Sequence, residues 1–112
     1  ISHMRECHYA WFFETLANPL RMSILLYLLD KPRPVNDIVA RTGEEQSNVS
    51  HALSILRLCN LVRLKVDGRR HLYQTNEALF RPLIKLVDEQ VCANCGDVCP
   101  QEKRKKKLKR KA

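Results

Sequence analysis

Three cysteines lie close together near the end of the chain, in the stretch VCANCGDVC at positions 91–99. The spacing of Cys92, Cys95 and Cys99 is C-x2-C-x3-C, which allows several sulfur atoms to bind one ion, and Gly96 permits the tight bend that this requires. Thiolates are soft ligands and prefer arsenite, Cd(II), Zn(II), Hg(II) or Cu(I) to Mg(II) or Ca(II). Three sulfurs alone suit a three-coordinate centre such as arsenite, whereas a tetrahedral metal needs a fourth ligand. The spacing therefore indicates a site for a soft metal or metalloid ion.

The same thiols also suit other roles. They can hold a structural zinc ion, close a disulfide in a redox switch, or bind an iron-sulfur cluster. The chain has five cysteines, an odd number, and no recognisable secretion signal, which favours free thiols or metal ligands over a disulfide framework. Cys59 lies among Leu58, Leu61 and Val62, and we interpret it as a small packed side chain rather than a ligand.

Positive charge is concentrated in the last twelve residues. Positions 101–112 contain eight Lys or Arg residues and one Glu, which accounts for +7 of the net charge of +8. The segment 100–112 is therefore predicted to be a basic, flexible tail that can contact phosphates or anionic surfaces, and the rest of the chain is close to neutral.

Length and hydropathy limit the class of protein. A chain of 112 residues is long enough for one small domain, which a partner subunit can complete. The longest wholly apolar run, 24–29, is six residues, whereas a membrane helix needs about 20. No signal peptide is recognisable, and residues 1–4, ISHM, are typical of an expression remnant. We predict a cytoplasmic protein with no membrane partner, with a domain over 5–91 and the cysteine cluster at 92–99.

The first part of the domain is predicted to be helical. Pro19 suits the first turn of a helix, and Asn18 suits its N-cap. We therefore predict two helices, over 8–17 and 19–29, which the Asn-Pro pair separates.

A helix predicted over 46–59 carries two different faces, and a short helix at 35–42, ended by Gly43, precedes it. Apolar residues at helical spacing predict a core-facing stripe formed by Val49, Ala52, Leu53 and Leu56. Small hydrogen-bonding residues repeat on the other side, at Ser47, Ser50, His51 and Ser54. A merely solvated helix more often displays Glu and Lys, so this face suits close contact with a polar surface such as the major groove of DNA.

A β-hairpin is predicted after this helix. Residues 61–65 and 71–74 are typical of strands, and Asp67-Gly68 is a strong signal for a two-residue turn. A short helix, a turn, a polar-faced helix and a hairpin with a basic tip form, in that order, a winged helix-turn-helix. The residues predicted to contact DNA are Gln46, Ser47, Asn48, Ser50, His51, Ser54, Arg57, Arg69 and Arg70. His71, beside the returning strand, is interpreted as either structural or phosphate-facing.

Other classes of protein fit the sequence less well. The thiols are not paired with an oxyanion-stabilising motif, and only three glycines are present, with no Gly-rich phosphate loop, so no enzyme is predicted. The alternative from a different class is a protein-interaction module, which would show no sequence preference for DNA.

Residues 37–74, DIVARTGEEQSNVSHALSILRLCNLVRLKVDGRRHLYQ, resemble the ArsR/SmtB family of metal-responsive repressors. The stretch LANPLRMSILLYL at 16–28 is similar to that family's usual opening, so the resemblance covers residues 9–91. It implies a mainly α fold with a small β-hairpin, a homodimer that pairs through its first and last helices, and release of double-stranded operator DNA on metal binding. The implied interface residues are Trp11, Phe12, Leu83, Leu86 and Val87.

The family's metal ligands are missing from their usual positions. Its cysteine box flanks the residue that matches Val35, where this chain has Pro34 and Asn36. The second common site of the family uses Asp and His on paired C-terminal helices. The matching positions in this chain are Glu77, Leu79, Gln90 and Ala93. We therefore do not expect either familiar site in this protein.

The cysteine cluster is then the predicted sensor, relocated to the end of the last helix. Since the first and last helices meet at the dimer interface in this family, Cys7 or His8 is the expected fourth donor for a tetrahedral ion. A soft ion would act there as the inducer or as a structural ion.

Pro82 complicates the last helix, which is predicted over 77–91. A proline inside a helix removes one backbone hydrogen bond. The sequence leaves two alternatives: the helix begins near Arg81 after a separate turn, or it is kinked.

Overall fold

In a computed structural model, the backbone is described for residues 2–92 and the side chains for residues 5–91. The elements in chain order are α1 (Ser2–Ala17), α2 (Pro19–Tyr27), α3 (Val35–Thr42), α4 (Gln46–Leu58), β1 (Val62–Asp67), β2 (Arg70–Thr75), α5 (Glu77–Leu86) and the π-helical segment Val87–Cys92. The predicted fold class, mainly α with a small β-hairpin, is confirmed. No helix among residues 2–92 is long and apolar enough to span a bilayer.

The boundary between α1 and α2 lies at Asn18-Pro19, as predicted. A residue before proline is pushed out of the helical region, and Asn18 has φ −76° and ψ 125°. Its side-chain Oδ1 accepts a hydrogen bond from the backbone N–H of Arg21 at 3.1 Å, which caps α2. The N-terminal end of α2 is therefore held in a defined position.

Two helix boundaries differ from the prediction. α1 begins at Ser2 rather than near residue 8, because the residues between them include the helix formers Met, Arg and Glu and contain no proline or glycine. α2 ends at Tyr27 rather than at residue 29, because the Leu29 N–H bonds to the Leu26 carbonyl at 3.4 Å in a tighter turn.

α3 and α4 form the helix-turn-helix at the predicted positions. Gly43 follows α3 with φ 73°, in the left-handed region, and its N–H donates to the Val39 carbonyl at 2.9 Å. α4 ends at Leu58, one residue before the predicted end, and Asn60 then turns the chain with φ 60°. The predicted core-facing stripe is confirmed, since Val49, Ala52, Leu53 and Leu56 are all buried. Burial of each leucine contributes about 1.5–3 kcal/mol.

β1 and β2 pair antiparallel, with Val62 opposite Thr75 at one end and Asp67 opposite Arg70 at the other. The two central turn residues are therefore Gly68 and Arg69, and the predicted Asp67-Gly68 turn is wrong by one residue. Gly68 has φ 62°, and Asn60 alone among the described non-glycine residues has a positive φ. A positive φ at the first central position only is the pattern of a type II′ turn, which accepts Gly followed by another residue.

The chain divides into two compact units after Glu77. In the first unit, α2, α3, α4 and β1 supply the fully buried apolar side chains of Ile24, Leu25, Ile38, Val49, Leu53, Leu56 and Val62, with Leu28 and Leu61 from the adjoining residues. The buried Thr75 at the end of β2 donates its hydroxyl to the Leu25 carbonyl at 2.7 Å, which attaches the hairpin to α2. The predicted domain over 5–91 extends across the division at Glu77 and stays a prediction.

In the second unit the structure describes residues 78–92. α5 continues through Pro82, so the alternative in which the last helix begins near Arg81 is wrong. Pro82 has no N–H to donate to the carbonyl four residues before it, but the turns on both sides of it keep their helical form. The helix then passes into the π-helical segment at Val87.

Candidate nucleic-acid interface

The polar face of α4 is exposed along its whole length. Its predicted DNA-contacting residues are all exposed: Gln46, Ser47, Asn48, Ser50, His51, Ser54 and Arg57. The opposite face is the buried stripe described above, so the core fixes the rotation of the helix. With 13 residues, α4 is about 20 Å long. This is a rigid rod that presents one row of hydrogen-bonding groups.

Two side chains on this face already make hydrogen bonds. The Asn48 Nδ2 donates to the Glu44 carboxylate at 3.3 Å, and the Ser54 hydroxyl donates to the Ser50 carbonyl at 3.0 Å. Ser54 therefore offers its oxygen as an acceptor, while Asn48 keeps its carbonyl oxygen and a second N–H. Acceptors of this kind match the amino groups of adenine and cytosine in the major groove.

One face of the hairpin is basic. The sequence predicted only the basic residues at its tip. Arg69 lies in the turn and Arg70 begins β2, and both are exposed, as predicted. Directly paired residues share a face of the sheet, and the register pairs Arg63 with Gln74, Lys65 with Leu72 and Asp67 with Arg70. The exposed Arg63 and Lys65 therefore lie on the same face as Arg70. Alternation along 62–67 is the signal that identifies them.

The other face of the hairpin is less exposed near its base. Leu64 and Tyr73 form a directly opposed pair there, and both are half-buried. His71 pairs with Val66 on this face and is exposed, so it does not join the basic face.

A stack of three side chains connects the hairpin to the helix-turn-helix. The Arg33 guanidinium lies 4.1 Å from the centroid of the Tyr27 ring, and that of Arg41 lies 5.6 Å from it. Arg33 also forms a backbone bridge to β2, with its N–H 2.9 Å from the Tyr73 carbonyl and its carbonyl 2.8 Å from the Tyr73 N–H. An ion pair to Asp30 at 3.2 Å holds the guanidinium from a further side. The Arg33 backbone therefore joins β2 to the segment that precedes α3, and its side chain joins that segment to Tyr27 of α2.

Replacing Tyr27 by leucine is expected to lower the free energy of unfolding by about 1–2 kcal/mol, since it removes the ring that both guanidinium groups face. Chemical denaturation followed by circular dichroism measures this change. The matched control is Tyr27→Phe, which keeps the ring and should stay close to the parent. Equal losses in the two variants would contradict a role for the ring.

Cys59 is part of the packing of α1 rather than a ligand. It is half-buried, and its thiol donates to the buried Thr15 hydroxyl at 3.7 Å. The Thr15 hydroxyl in turn donates to the Trp11 carbonyl at 2.8 Å. These contacts support the interpretation of Cys59 as a packed side chain.

The predicted metal donors fall into two groups. Cys7 and His8 are consecutive on α1, and both are exposed. Cys92 ends the π-helical segment, but its side chain, together with Cys95 and Cys99, lies outside the described residues. Within the described residues, no three His, Cys, Asp or Glu side chains lie close enough together to hold a metal ion.

The positions of the family's usual metal sites offer no alternative in the described part of the chain. Pro34 is the N-cap of α3 and Asn36 is exposed, and neither provides a thiolate. Glu77, Leu79 and Gln90 form no donor cluster, and Ala93 lies outside the described residues. Three thiolates, with an exposed thiol or imidazole from α1, still have the donor chemistry that a soft ion requires.

α1 and the C-terminal unit both expose large apolar side chains. On α1, Trp11 is 44% and Phe13 59% exposed, and the half-buried Phe12 meets Phe13 edge to face at 5.6 Å. In the C-terminal unit, Leu86 is 58% exposed. Val87 and Val91 are exposed as well, and Leu83 is half-buried. Apolar patches of this kind are typical of protein interaction surfaces.

The comparisons with known proteins agree with this geometry. The family described as "Bacterial regulatory protein, arsR family" matches residues 18–63, which span α2 to the start of β1. The HTH-type transcriptional regulator CmtR of Mycobacterium tuberculosis is 36% identical over 101 residues, which cover 89% of this chain and 86% of that protein. The chain belongs to the arsR family.

Two further relatives of this arsR-family protein carry informative descriptions. The "Probable mercury resistance operon repressor" of Streptomyces lividans is 30% identical over 98 residues, covering 83% of this chain and 78% of that protein. The homodimeric winged helix-turn-helix DNA-binding domain of Mb0332 from Mycobacterium bovis matches with a TM-score of 0.67 and 27% identity, over 80% of this chain and 85% of that chain. The arsR-family protein is thus a DNA-binding transcriptional regulator. The prediction that it is no enzyme is confirmed by these relatives.

Proposed function

We propose that this protein is a homodimeric repressor that leaves its operator when a soft metal or metalloid ion binds Cys92, Cys95 and Cys99. The observation that carries the proposal is the exposed polar face of α4, which is fixed by a buried stripe and accompanied by the basic face of the hairpin. Such an arrangement suits a helix that enters the major groove while a hairpin contacts the adjacent backbone.

The DNA contacts divide into two kinds. The short side chains in the first turns of α4, including Ser47, Ser50 and the Asn48 carbonyl oxygen, read base edges. Arg57 at the end of α4 and the cations of the hairpin neutralise phosphates, which position the protein without reading sequence. Ser54, whose hydroxyl proton is used within the helix, serves as an acceptor for a base amino group.

The exposed apolar surfaces support the proposed homodimer. A second copy that covers Trp11 and Phe12 on α1, and Leu83, Leu86 and Val87 in the C-terminal unit, would remove them from water. The homodimeric structural relative supports a homodimer. A two-fold dimer places its recognition helices about 34–36 Å apart, so the operator is expected to be an imperfect palindrome.

Replacing Trp11 by glutamate is expected to raise the dissociation constant of the dimer by about 100-fold or more, because a tryptophan that a partner subunit buries is a typical interface hot spot. Sedimentation equilibrium of the full chain measures the dissociation constant. Glu14→Gln, an exposed change on the same helix, is the control and should leave the dimer intact. A Trp11 variant that stays as tightly dimeric as the control would place the interface elsewhere.

The cysteine cluster supplies the response to the ion. Cys92, Cys95 and Cys99 would hold it, and Cys7 or His8 would complete a tetrahedral site. When bound, a soft ion links these thiolates and so restrains the chain at the end of the C-terminal unit. Release requires that the ion bind the non-operator geometry of the dimer more tightly than the operator-bound one. The "Probable mercury resistance operon repressor" among the relatives supports a soft inducer.

Footprinting on the protein's own promoter tests the DNA half of the proposal. The expected pattern is two protected half-sites, centred about one helical turn apart, with tighter binding than to a scrambled duplex. Equal binding to promoter and scrambled DNA would contradict it and favour the protein-interaction module instead.

A further inference from the structure

A small cleft lies where the N-terminal end of α2 meets the polar face of α4. Its volume is about 160 Å³, and it is lined by Asn18, Leu20, Arg21, Asn48, His51 and Ala52. Ala52 is buried, and Leu20 is half-buried. The cleft therefore has apolar residues as part of its lining and a set of hydrogen-bonding side chains around them.

The polar lining of the cleft is dominated by donors. None of its lining residues is acidic, and no carboxylate among residues 5–91 forms an ion pair with Arg21. The Asn18 Oδ1 is used by the Arg21 backbone N–H, and one Asn48 N–H is used by Glu44. The Arg21 guanidinium, the His51 ring and the second Asn48 N–H are the groups that can serve a ligand.

These donors suit an anion with several acceptor oxygens. A guanidinium matches a phosphate in charge and in the spacing of its N–H groups, and it binds two phosphate oxygens at once. The Glu44 carboxylate accepts a hydrogen bond from the Asn48 Nδ2 at 3.3 Å and is not part of the cleft lining. A phosphate group is therefore the ligand class that fits the cleft.

The position of His51 indicates that this phosphate belongs to the backbone of bound DNA. His51 lies on the same exposed face of α4 as Ser47, Ser50 and Ser54. A duplex that meets this face brings its backbone to the edge of the helix, which is where α2 begins. We propose that the cleft binds one backbone phosphate of each operator half-site, with Arg21 as its principal ligand. The inference rests on the proposed binding of the α4 face to DNA.

This assignment extends the DNA-contacting surface beyond the helix-turn-helix and hairpin to α2. It also gives His51 a phosphate contact in place of a base contact. Because a phosphate carries no sequence information, Arg21→Gln should weaken binding to operator and to scrambled DNA by similar factors. The slope of log affinity against log salt should become shallower by about 0.9 for each phosphate that the variant no longer neutralises.

The decisive experiment replaces single operator phosphates by neutral methylphosphonates and measures binding of the full-length parent and of Arg21→Gln by fluorescence anisotropy. At one position in each half-site, neutralisation of the phosphate should lower the operator affinity of the parent by about tenfold. It should not change the affinity of Arg21→Gln, since this variant already lacks the charged hydrogen bond to that phosphate. Lys31→Gln, which removes an exposed charge outside the cleft, should still respond at that position. Thermal unfolding of each variant verifies that the fold is retained.

Two results would overturn the inference. In the first, Arg21→Gln and phosphate neutralisation lower the operator affinity independently at every position, so that their fold-changes multiply and no phosphate is coupled to Arg21. The other is that inorganic phosphate alone binds the parent through Arg21, detected by phosphorus NMR, while no operator phosphate is coupled. Failure of the parent to prefer operator over scrambled DNA would instead contradict the proposed function on which the inference rests.

Discussion

Serine at Cys92, Cys95 or Cys99 is expected to leave operator affinity unchanged and to abolish its decrease on addition of a soft ion. Serine keeps the size of the side chain but lacks the thiolate that such an ion requires. The parent should lose affinity by about 10- to 100-fold, the usual range of coupling between two sites. Fluorescence anisotropy with a labelled operator, with and without arsenite, Cd(II) or Zn(II), measures both quantities.

Three further variants sharpen this prediction. Cys59→Ser is the control, because its thiol is half-buried against Thr15 and should not bind the inducer. Cys7→Ser and His8→Ala test the fourth donor: the variant that lacks this donor should respond less to a tetrahedral ion, and both variants should respond to arsenite like the parent. Cysteine variants that release the operator as readily as the parent would eliminate the cluster as the sensor.

Glutamate at Ser50 is expected to abolish specific DNA binding, with operator affinity falling by about 100-fold or more. Ser50 is exposed in the middle of the α4 polar face, so the new carboxylate would meet base edges and phosphates. The change also leaves the buried stripe untouched, so the fold and the dimer should persist. A mobility shift with operator and scrambled duplexes measures the decrease in affinity.

Ser23→Glu makes the same chemical change on an exposed position of α2, outside the cleft at Arg21. It should weaken binding far less than Ser50→Glu, since only long-range repulsion remains. Similar decreases in both variants would indicate a general effect of negative charge and would remove the support for the α4 face as the reading surface.

The helix-turn-helix is predictable because its signals are local. The start of α2, the stop at Gly43 and the two faces of α4 each depend on residues within a few positions of one another. A cap, a left-handed glycine and a 3.6-residue period act through the backbone of one element. The polar face and the Arg69-Arg70 tip can be predicted for the same reason.

The remaining parts of the candidate interface depend on tertiary structure. Arg21 joins it only because the start of α2 packs beside Asn48 and His51. The stack of Arg33 and Arg41 on Tyr27 brings together three segments that no sequence period relates. Such contacts become visible only when the helices are packed.

One wrong prediction and one alternative left open by the sequence have simple physical causes. Asp67-Gly68 suits a type I′ turn, but the register pairs Asp67 with Arg70 and places Gly68 first in the loop. At Pro82 the sequence leaves two alternatives, a helix that begins near Arg81 or a kinked helix, and the first is wrong because one missing hydrogen bond does not end α5. Both outcomes depend on neighbouring structure rather than on the residue itself.

Release of the operator by a soft ion is tested by one titration: arsenite, Cd(II) or Zn(II) is added to the reduced parent dimer bound to its own operator until the ion is in excess. We expect at least one of these ions to release the DNA, and a chelator or competing dithiol to restore binding. Operator binding that stays unchanged with every ion would contradict soft-ion sensing and favour a structural zinc site or a redox switch in the cysteine cluster.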